Sequence, residues 1–500
     1  MRDELFLGLD VGTSTVKAVL VNADGAVDAS ASAPLTLSTP RPGWAEQHPD
    51  DWWDAAVAAI RNVLAARSNT GVRAIGISGQ MHSSVFLDAS GQVIRPALLW
   101  CDGRTTAECA QITERAGGES HLREWVCNPA LEGFTLPKIL WLRTHEPAAY
   151  ARLSKVLLAK DFIRLRLTDT IATEPSDASG TLMFDPARMR WSGQMLRAVK
   201  VPKSLLPDVG GSAEILGRVS ARAAQITGLT CGTPVVGGGA DNACGAAGVG
   251  VMSQGEAVAS WGTSGTVLAP TSQPLVDPAL RVHTFCHVAP KTWYVMGVVL
   301  SAGGAWSWYR DQLAREPLTT HAGSLSRDAQ LDAEAAQIAP GADGVTFLPY
   351  LQGERTPHRD ASARGAFLGL SLAHSRAHLT RAVLEGVCFA LRDSVAILRE
   401  MGLAPDSLLL TGGGARSELV RRLQAEIYGA PVTTVQREEG PAYGAALLAA
   451  VGAGAFPDII SATRATLTRT PLYTPAPGMH AQYDDAYARY RSAYTGLYAR

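Results

Sequence analysis

One short pattern occurs twice in this chain, at positions half a chain length apart. "GLDVGTSTVKAVL" at residues 8–20 and "ASWGTSGTVLA" at residues 259–269 both have the pattern of a strand, a Gly-Thr-Ser turn and a second strand. A repeat on this scale predicts two similar domains, each presenting one hairpin. The 500 residues are also too many for a single hydrophobic core. We therefore expect an N-terminal domain at 1–249 and a C-terminal domain at 250–500.

The turns of both hairpins have the chemistry of a phosphate-binding site. A glycine in a turn leaves backbone N–H groups accessible, and threonine and serine add hydroxyl donors. Lys17 adds a positive charge close to the first turn. A third glycine loop, Gly412–Gly414, also follows a strand pattern and precedes a helix pattern. The sequence has no G-x-x-x-x-G-K-[ST] motif and no dinucleotide fingerprint, which excludes the P-loop and Rossmann classes.

Two aspartates stand at the ends of predicted strands beside these loops. Asp10 ends the first strand and Asp241 lies in "GGGADNACG" before a helix. Each has an ordinary structural interpretation, as a turn former or a helix N-cap. The functional alternative is that Asp10 holds Mg²⁺ through water. Asp241 would then accept the proton of a hydroxyl that attacks a phosphoryl group.

Composition narrows the classes of partner and compartment. The net charge is −1, from 45 basic and 46 acidic residues, which gives no support to a nucleic-acid or anionic-membrane partner. The seven cysteines show no zinc spacing, and an odd number of scattered cysteines favours a reducing compartment. The sequence shows no secretory signal pattern and no apolar run of the ~20 residues that a membrane span needs. We expect a cytoplasmic protein.

Five ordered segments resemble the FGGY carbohydrate kinases, a family of the actin and hexokinase-like ATPase superfamily. The two hairpins are similar to its phosphate motifs, and "LLTGGGARSELVRRLQAEI" is similar to its adenosine motif. Gly133–His145, with Lys138 and Trp141, and Gly365–Gly386 are similar to its two signature stretches. The resemblance implies two ribonuclease-H-like α/β domains with mixed five-stranded sheets that flank a central cleft. It also implies transfer of a phosphoryl group from ATP to a sugar, with Mg²⁺ as cofactor.

The resemblance also implies which residues form the site. "ISGQMHSSVFLD" and "ALLWCDGR" are similar to the xylulokinase branch, whose substrate is the ketopentose D-xylulose. The sugar would be bound by Met81, His82, Trp100, Asp102, Arg104, Asp177, Asp241 and Asn242, with Asp241 and Asp10 as catalytic residues. ATP would be bound by Gly12, Thr13, Ser14, Lys17, Gly262, Thr263, Ser264, Gly412, Gly413, Gly414 and Arg416.

Two departures and several alternatives remain at this point. Cys101 stands where the branch has Asn or Ser, and Ala240 stands where it has Gly, so the exact sugar is open. D-ribulose, L-xylulose, xylitol or another polyol is the nearest alternative substrate. An actin-like or chaperone-like ATPase with a protein partner would share the hairpins but would not need "GQMH" or "WCDGR". The resemblance also suggests a homodimer. The tyrosines of the tail, at helical spacing, predict packing rather than a cofactor site.

Overall fold

The computed structural model describes residues 4–66, 71–315, 326–436 and 438–498. Two mixed sheets organise the chain, and both have the same plan. In each sheet an antiparallel hairpin, Leu5–Val11 with Thr15–Asn22 or Glu256–Trp261 with Gly265–Thr271, lies beside parallel strands. The repeated hairpin pattern therefore corresponds to a repeated sheet topology, and the expected fold class is confirmed.

The sheets are larger than the five strands expected. The first has seven strands: Ile215–Arg218, Pro234–Val236, Val72–Gly79, Leu5–Val11, Thr15–Asn22 and Val27–Pro34 in spatial order, with Gly239–Ala240 also paired to Val72–Gly79. The second has six: His283–Cys286, Trp293–Val299, Gly265–Thr271, Glu256–Trp261, Ser407–Gly412 and Val432–Thr433. Strands of two to four residues at or near the edges account for the difference.

The remaining elements are helices and short two-stranded pairs. In the first half the helices are Pro49–Ala65, Thr106–Ala116, Glu119–Val126, Thr135–His145, Pro147–Ala151, Ala159–Thr168, Pro175–Ala178, Gly193–Val199, Ala221–Thr227 and Asp241–Gly248. In the second half they are Gly303–Trp308, Arg327–Ala335, Arg376–Glu400, Glu418–Tyr428, Pro441–Gly452, Ile459–Thr466 and Met479–Tyr498. The short pairs are Glu46–Gln47 with Ala97–Leu98, Val85–Leu87 with Lys155–Leu157, Ala172–Thr173 with Asp208–Val209, Phe184–Asp185 with Arg190–Trp191, and Thr346–Leu348 with Ala366–Leu368. No helix within the described residues is both long and apolar enough to span a membrane.

Two helices, Asp241–Gly248 and Pro441–Gly452, cross each other against the first sheet. Glycines allow this contact, because a Cβ on Gly444 would lie 2.0 Å from the Cys244 carbonyl oxygen. On the sheet, Gly8 and Gly76 are register partners, and a Cβ on either would lie 1.9 Å from a carbonyl of the helix Pro441–Gly452. That helix, from the second half of the chain, therefore covers the first sheet. The boundaries 1–249 and 250–500 stay a prediction.

The tyrosine stripe of the last helix, Met479–Tyr498, packs on the second domain. Tyr483 and Tyr490 are fully buried. Their hydroxyls also meet buried polar groups, because Arg381 donates to Tyr483 and Tyr490 bonds the hydroxyl of Tyr350. The packing interpretation of these tyrosines is confirmed.

The glycine contact between the crossing helices predicts a large effect of a small substitution. We expect Gly444→Ala to destabilise the protein by about 1–3 kcal/mol, because the new methyl group would overlap backbone atoms that cannot move independently. Gly496→Ala is the matched control, since Gly496 is also helical and has open space around it. The control should be neutral or gain up to ~1 kcal/mol of helix propensity. Urea unfolding measures both, and equal stability of the two variants would contradict the prediction.

Candidate active site

Three parallel strands of the first sheet end at one edge and place the central residues of the site. Asp10 lies in Leu5–Val11 opposite Ser78 of Val72–Gly79, and Ala240 pairs with Gly79. Met81 follows the second of these strands, and Asp241 follows the strand Gly239–Ala240 directly. Ligand sites of α/β sheets form at the carboxyl ends of parallel strands. The topology thus brings Asp10, Met81 and Asp241 to the same edge.

The carboxyl groups of Asp241 and Asp10 both have raised pKa values. Burial, together with the negative charge of Asp10, raises the pKa of Asp241 to about 7, although hydrogen bonds from Asn242 oppose the shift. Burial also raises the pKa of Asp10 to about 6, although Ser78 and Lys17 oppose the shift. An aspartate with a pKa near neutrality is a far better proton acceptor than one near its ordinary value of about 4.

Asp10 has an oxygen that fits a cation. Its buried Oδ1 atom has no hydrogen-bond partner among the described residues. A buried carboxylate oxygen without a donor is costly, and a hydrated Mg²⁺ is one group that would satisfy it. No cluster of three or more His, Cys, Asp or Glu side chains that could enclose a metal occurs in the described part of the chain.

Met81 and His82 lie in a strained, buried turn. His82 has a positive φ of 69°. Its Nδ1–H donates to the Gly180 carbonyl, which leaves Nε2 as a hydrogen-bond acceptor. Burial lowers the pKa of His82 to about 3, so the ring is neutral. The Met81 sulfur is 3.8 Å from Asn242 Nδ2 and 3.8 Å from the Tyr294 hydroxyl of the second domain.

Lys138 holds this turn in place. Its Nζ donates to the carbonyls of His82 and Gly133 at 3.1 and 2.7 Å, and Thr135 donates to the same His82 carbonyl. Burial lowers the pKa of Lys138 to about 7. Lys138, the lysine of the first signature stretch, therefore fixes the His82 backbone by tying it to the Gly133 turn.

The first hairpin is fixed by Gln80, which the sequence analysis did not single out, and by Trp100, which it placed at the sugar. Gln80 accepts from the Thr13 hydroxyl at 3.1 Å and donates to the Gly12 carbonyl at 3.2 Å. The Trp100 indole donates to Thr13 at 3.0 Å. Ser14 is exposed at the tip, with its N–H and hydroxyl outside any hydrogen bond that the described residues make. The turn is thus held at Thr13 and accessible at Ser14.

Lys17 is engaged by the second half of the chain. Its Nζ lies 2.7 Å from the Glu439 carboxylate and 3.1 Å from the Glu439 carbonyl. The adjacent Glu438 accepts from the backbone N–H of Gly412 at 3.0 Å. Lys17, which was expected at the phosphates, and Gly412, which was expected at the adenosine, are therefore paired with consecutive glutamates in this structure.

The second hairpin and the glycine loop share one cavity of about 660 Å³. Its lining includes Trp261, Gly262, Thr263, Gly413, Gly414 and Arg416. A Cβ on Gly414 would lie 2.5 Å from the Trp261 ring, so the loop packs directly on the hairpin strand. The structure brings together two loops that the sequence analysis assigned to ATP, and the volume suits a nucleotide-sized ligand. Ser264 and Gly412 lie beside the cavity rather than in its lining.

Asp102 and Arg104 use their polar groups within the protein. Asp102 accepts from the backbone N–H of Ala45 and from the guanidinium of Arg104, and both side chains are almost fully buried. Arg104 also bonds Glu46 and lies 3.6 Å above the Trp44 ring. This arrangement favours support of the Trp100 loop over direct contact with a sugar.

Asp177 belongs to a fully buried charge cluster. Lys160 Nζ lies 3.3 Å from Asp177, 3.6 Å from Glu174 and 2.6 Å from Asp161. Neither Asp177 oxygen has hydrogen-bond geometry to a described donor. Burial raises the pKa of Asp177, with the charge of Lys160 opposing and the nearby carboxylates, including Asp241, adding to the shift. Asp177 therefore lies close enough to Asp241 for the negative charge of Asp241 to raise its pKa.

The raised pKa of Asp241 predicts how stability depends on pH. Unfolded, this carboxyl ionises near pH 4, but in the fold it keeps its proton to about pH 7. Between these pH values the folded state binds one more proton than the unfolded state. The contribution of the protonated Asp241 to the free energy of unfolding is therefore complete below pH 4 and is lost as the pH rises to 7. Asp241→Asn should therefore stabilise the Mg²⁺-free protein at pH 8 by roughly 1–3 kcal/mol. At pH 4 the two proteins should unfold at the same urea concentration, and a difference of equal size at both pH values would refute the assignment.

Comparison with known proteins agrees with this geometry. The model of the FGGY family of carbohydrate kinases, N-terminal domain, matches residues 5–248, and that of the C-terminal domain matches residues 257–453. The xylulose kinase of Escherichia coli K12 is 40% identical over 497 residues, which cover 99% of each protein. A crystal structure titled as a xyloylose kinase from Brucella ovis has a TM-score of 0.90 and 36% identity, covering 99% of this chain and 100% of that one. A gluconate kinase structure from Lactobacillus acidophilus has a TM-score of 0.91 and 26% identity, covering 99% and 98%. The chain belongs to the FGGY family of carbohydrate kinases.

Proposed function

We propose that this kinase transfers the γ-phosphoryl group of ATP to the 5-hydroxyl of D-xylulose, giving D-xylulose 5-phosphate and ADP. The observation that carries the proposal is the position of Asp241, a carboxylate with a raised pKa that lies beside the Met81–His82 turn and near Asp10. Family membership supports the reaction, and the relatives named xylulose kinase support the sugar.

The chemistry follows from the residues at the strand edge. The sugar O5 attacks the γ-phosphorus, the O5–P bond forms, and the bond from phosphorus to the bridging β,γ oxygen breaks, with its electron pair leaving on ADP. Asp241 accepts the proton of O5. The backbone N–H groups of the two hairpins stabilise the charge on the phosphoryl oxygens. Met81 covers an apolar face of the sugar, and the neutral His82 accepts a hydroxyl hydrogen bond at Nε2.

Asp10 would hold Mg²⁺ through its water shell, at the oxygen that lacks a partner. The ion, when bound, supplies positive charge that neutralises the polyphosphate. Lys17 has a second partner available once the phosphates are present, since its ion pair with Glu439 is partly exposed and readily exchanged.

Asp241→Ala tests the proton acceptor. We expect turnover to fall by about 10²- to 10⁴-fold, the usual contribution of a positioned acid–base group. ATP binding, measured by calorimetry, should be unchanged, because Asp241 lies outside the nucleotide cavity. Turnover within tenfold of wild type would remove Asp241 from this role.

His82→Ala tests which substrate the turn binds. The KM for the sugar should rise much more than the KM for ATP, because the Met81–His82 turn lies beside Asp241 and His82 is absent from the lining of the nucleotide-sized cavity. Steady-state kinetics with each substrate varied in turn provides the measurement. Equal increases in both KM values would place His82 outside the sugar site.

A coupled ADP-release assay tests the reaction and the sugar together. The panel is D-xylulose, D-ribulose, L-xylulose, L-ribulose, xylitol, glycerol and gluconate, each with Mg-ATP. We expect D-xylulose to give the highest kcat/KM. Preference for another member would keep the mechanism and change the substrate, whereas sugar-independent ATP hydrolysis would favour an ATPase with a protein partner. The homodimer stays a prediction, which light scattering tests.

A further inference from the structure

A short loop of the second domain, residues 354–359, is anchored on both sides of Arg355. Before it, the buried Glu354 accepts from the N–H groups of His358 and Arg359 at 2.7 and 3.2 Å. After it, Thr356 exchanges hydrogen bonds with Val298 of the second sheet and donates to the Arg281 carbonyl at 3.1 Å. The backbone of Arg355 is therefore held in one place.

The Arg355 side chain leaves its own domain and reaches the first one. A Cβ on Gly133 would lie 3.0 Å from Arg355 Nη2 and 2.9 Å from the Trp100 carbonyl oxygen. Burial lowers the pKa of His82, of Lys138 and of His283, and the positive charge of Arg355 adds to the shift in all three. The guanidinium thus lies where the Trp100 loop, the Gly133 turn and the His82 turn meet.

This guanidinium has no partner within the described residues. Among the described residues, no carboxylate lies within ion-pair distance of the half-buried guanidinium and no carbonyl accepts from it; the charges of Glu132 and Glu354 act on it from farther away. Other arginines nearby are paired: Arg104 with Asp102, Arg281 with Asp277 and Arg359 with Glu119. None of the Arg355 nitrogens is among the buried atoms of the described residues that lack a partner, so the guanidinium is reachable by solvent and its donors are open to a ligand.

The chemistry around Arg355 suits the oxygens of a ketose. A guanidinium has five donors and no acceptor, whereas carbonyl and hydroxyl oxygens accept. Lys138, the other cation beside Gly133, already donates to two backbone carbonyls. Asp241 takes the reacting hydroxyl, next to Asn242 and Met81, while Arg355 lies on the His82 side.

We infer that Arg355 is a substrate-binding residue contributed by the second domain, donating to the O1 and O2 oxygens at the carbonyl end of the ketose that His82 holds. This assignment rests on the proposed function. The sugar then bridges the two domains, with the first domain at its reacting end and the second at its carbonyl end.

The test compares wild type with Arg355→Met and Arg355→Lys. We expect Arg355→Met to raise the D-xylulose KM by about 10- to 100-fold, the loss that follows removal of a charge-assisted hydrogen bond. The ATP KM should stay within about twofold. D-xylulose binding without ATP, followed by calorimetry, should weaken equally, and the lysine variant should lose less. Arg364→Gln is the matched control, because Arg364 follows this loop closely, is exposed, and its side chain bonds only the Ala361 and Ala363 carbonyls among the described residues. All variants should melt within a few degrees of wild type, since Arg355 makes no internal bond.

A second sugar tests which oxygens Arg355 contacts. With 1-deoxy-D-xylulose, which lacks O1, Arg355→Met should cause a smaller loss than with D-xylulose, since one of its partners is already absent. An unchanged D-xylulose KM in Arg355→Met, or a larger effect on the ATP KM, would overturn the inference. So would a wild-type preference for gluconate that Arg355→Met abolishes, because the cation would then recognise a carboxylate. Absence of ketose-dependent ADP release in wild type would instead refute the proposed function.

Discussion

The close approach of two helices to the first sheet is the constraint on which the site depends. Gly8 and Gly76 make a flat area on the sheet, and Gly444 lets the helices Asp241–Gly248 and Pro441–Gly452 touch backbone to backbone. Asp241 begins one of these helices, and Glu439 lies just before the other. Asp241, the proposed proton acceptor, and Glu439, the partner of Lys17, therefore have positions set by main-chain contacts, which are stiffer than side-chain packing.

Burial of carboxylates is the second organising feature. Asp10, Asp177 and Asp241 all have raised pKa values for the same main reason, removal from water. The negative charges of neighbouring carboxylates add to the shift for Asp177 and Asp241. Lys160 offsets part of this cost from inside the cluster. Burying these carboxylates lowers the stability of the folded state and shifts their pKa values toward neutrality, a combination that is common in active sites.

The elements that could be predicted from the sequence are those whose role is local. The Gly-Thr-Ser hairpins, the glycine loop and the repeat depend on backbone conformation within a few residues, so their pattern is visible in the chain. Asp102 and Arg104 are different: their side chains turn toward Ala45 and Glu46, and no local pattern distinguishes that orientation from one facing a sugar. Gln80 and Arg355 were missed because tertiary contacts alone give them a role. "GQMH" was a signal for Gln80 in hindsight, whereas nothing in "GERTPH" distinguishes Arg355 from a surface arginine.

The last helix and the helix Pro441–Gly452 have a consequence for the order of synthesis. One face of the first sheet is covered by a helix that is synthesised only after all strands of both sheets. In the second domain, the buried Arg381 meets its tyrosine partner only when the helix Met479–Tyr498 has been made. Neither core is complete until its covering helix has been synthesised, so glycine-rich and apolar surfaces stay exposed to solvent until then. Removal of the C-terminal helix would leave the second domain permanently in that unfinished state.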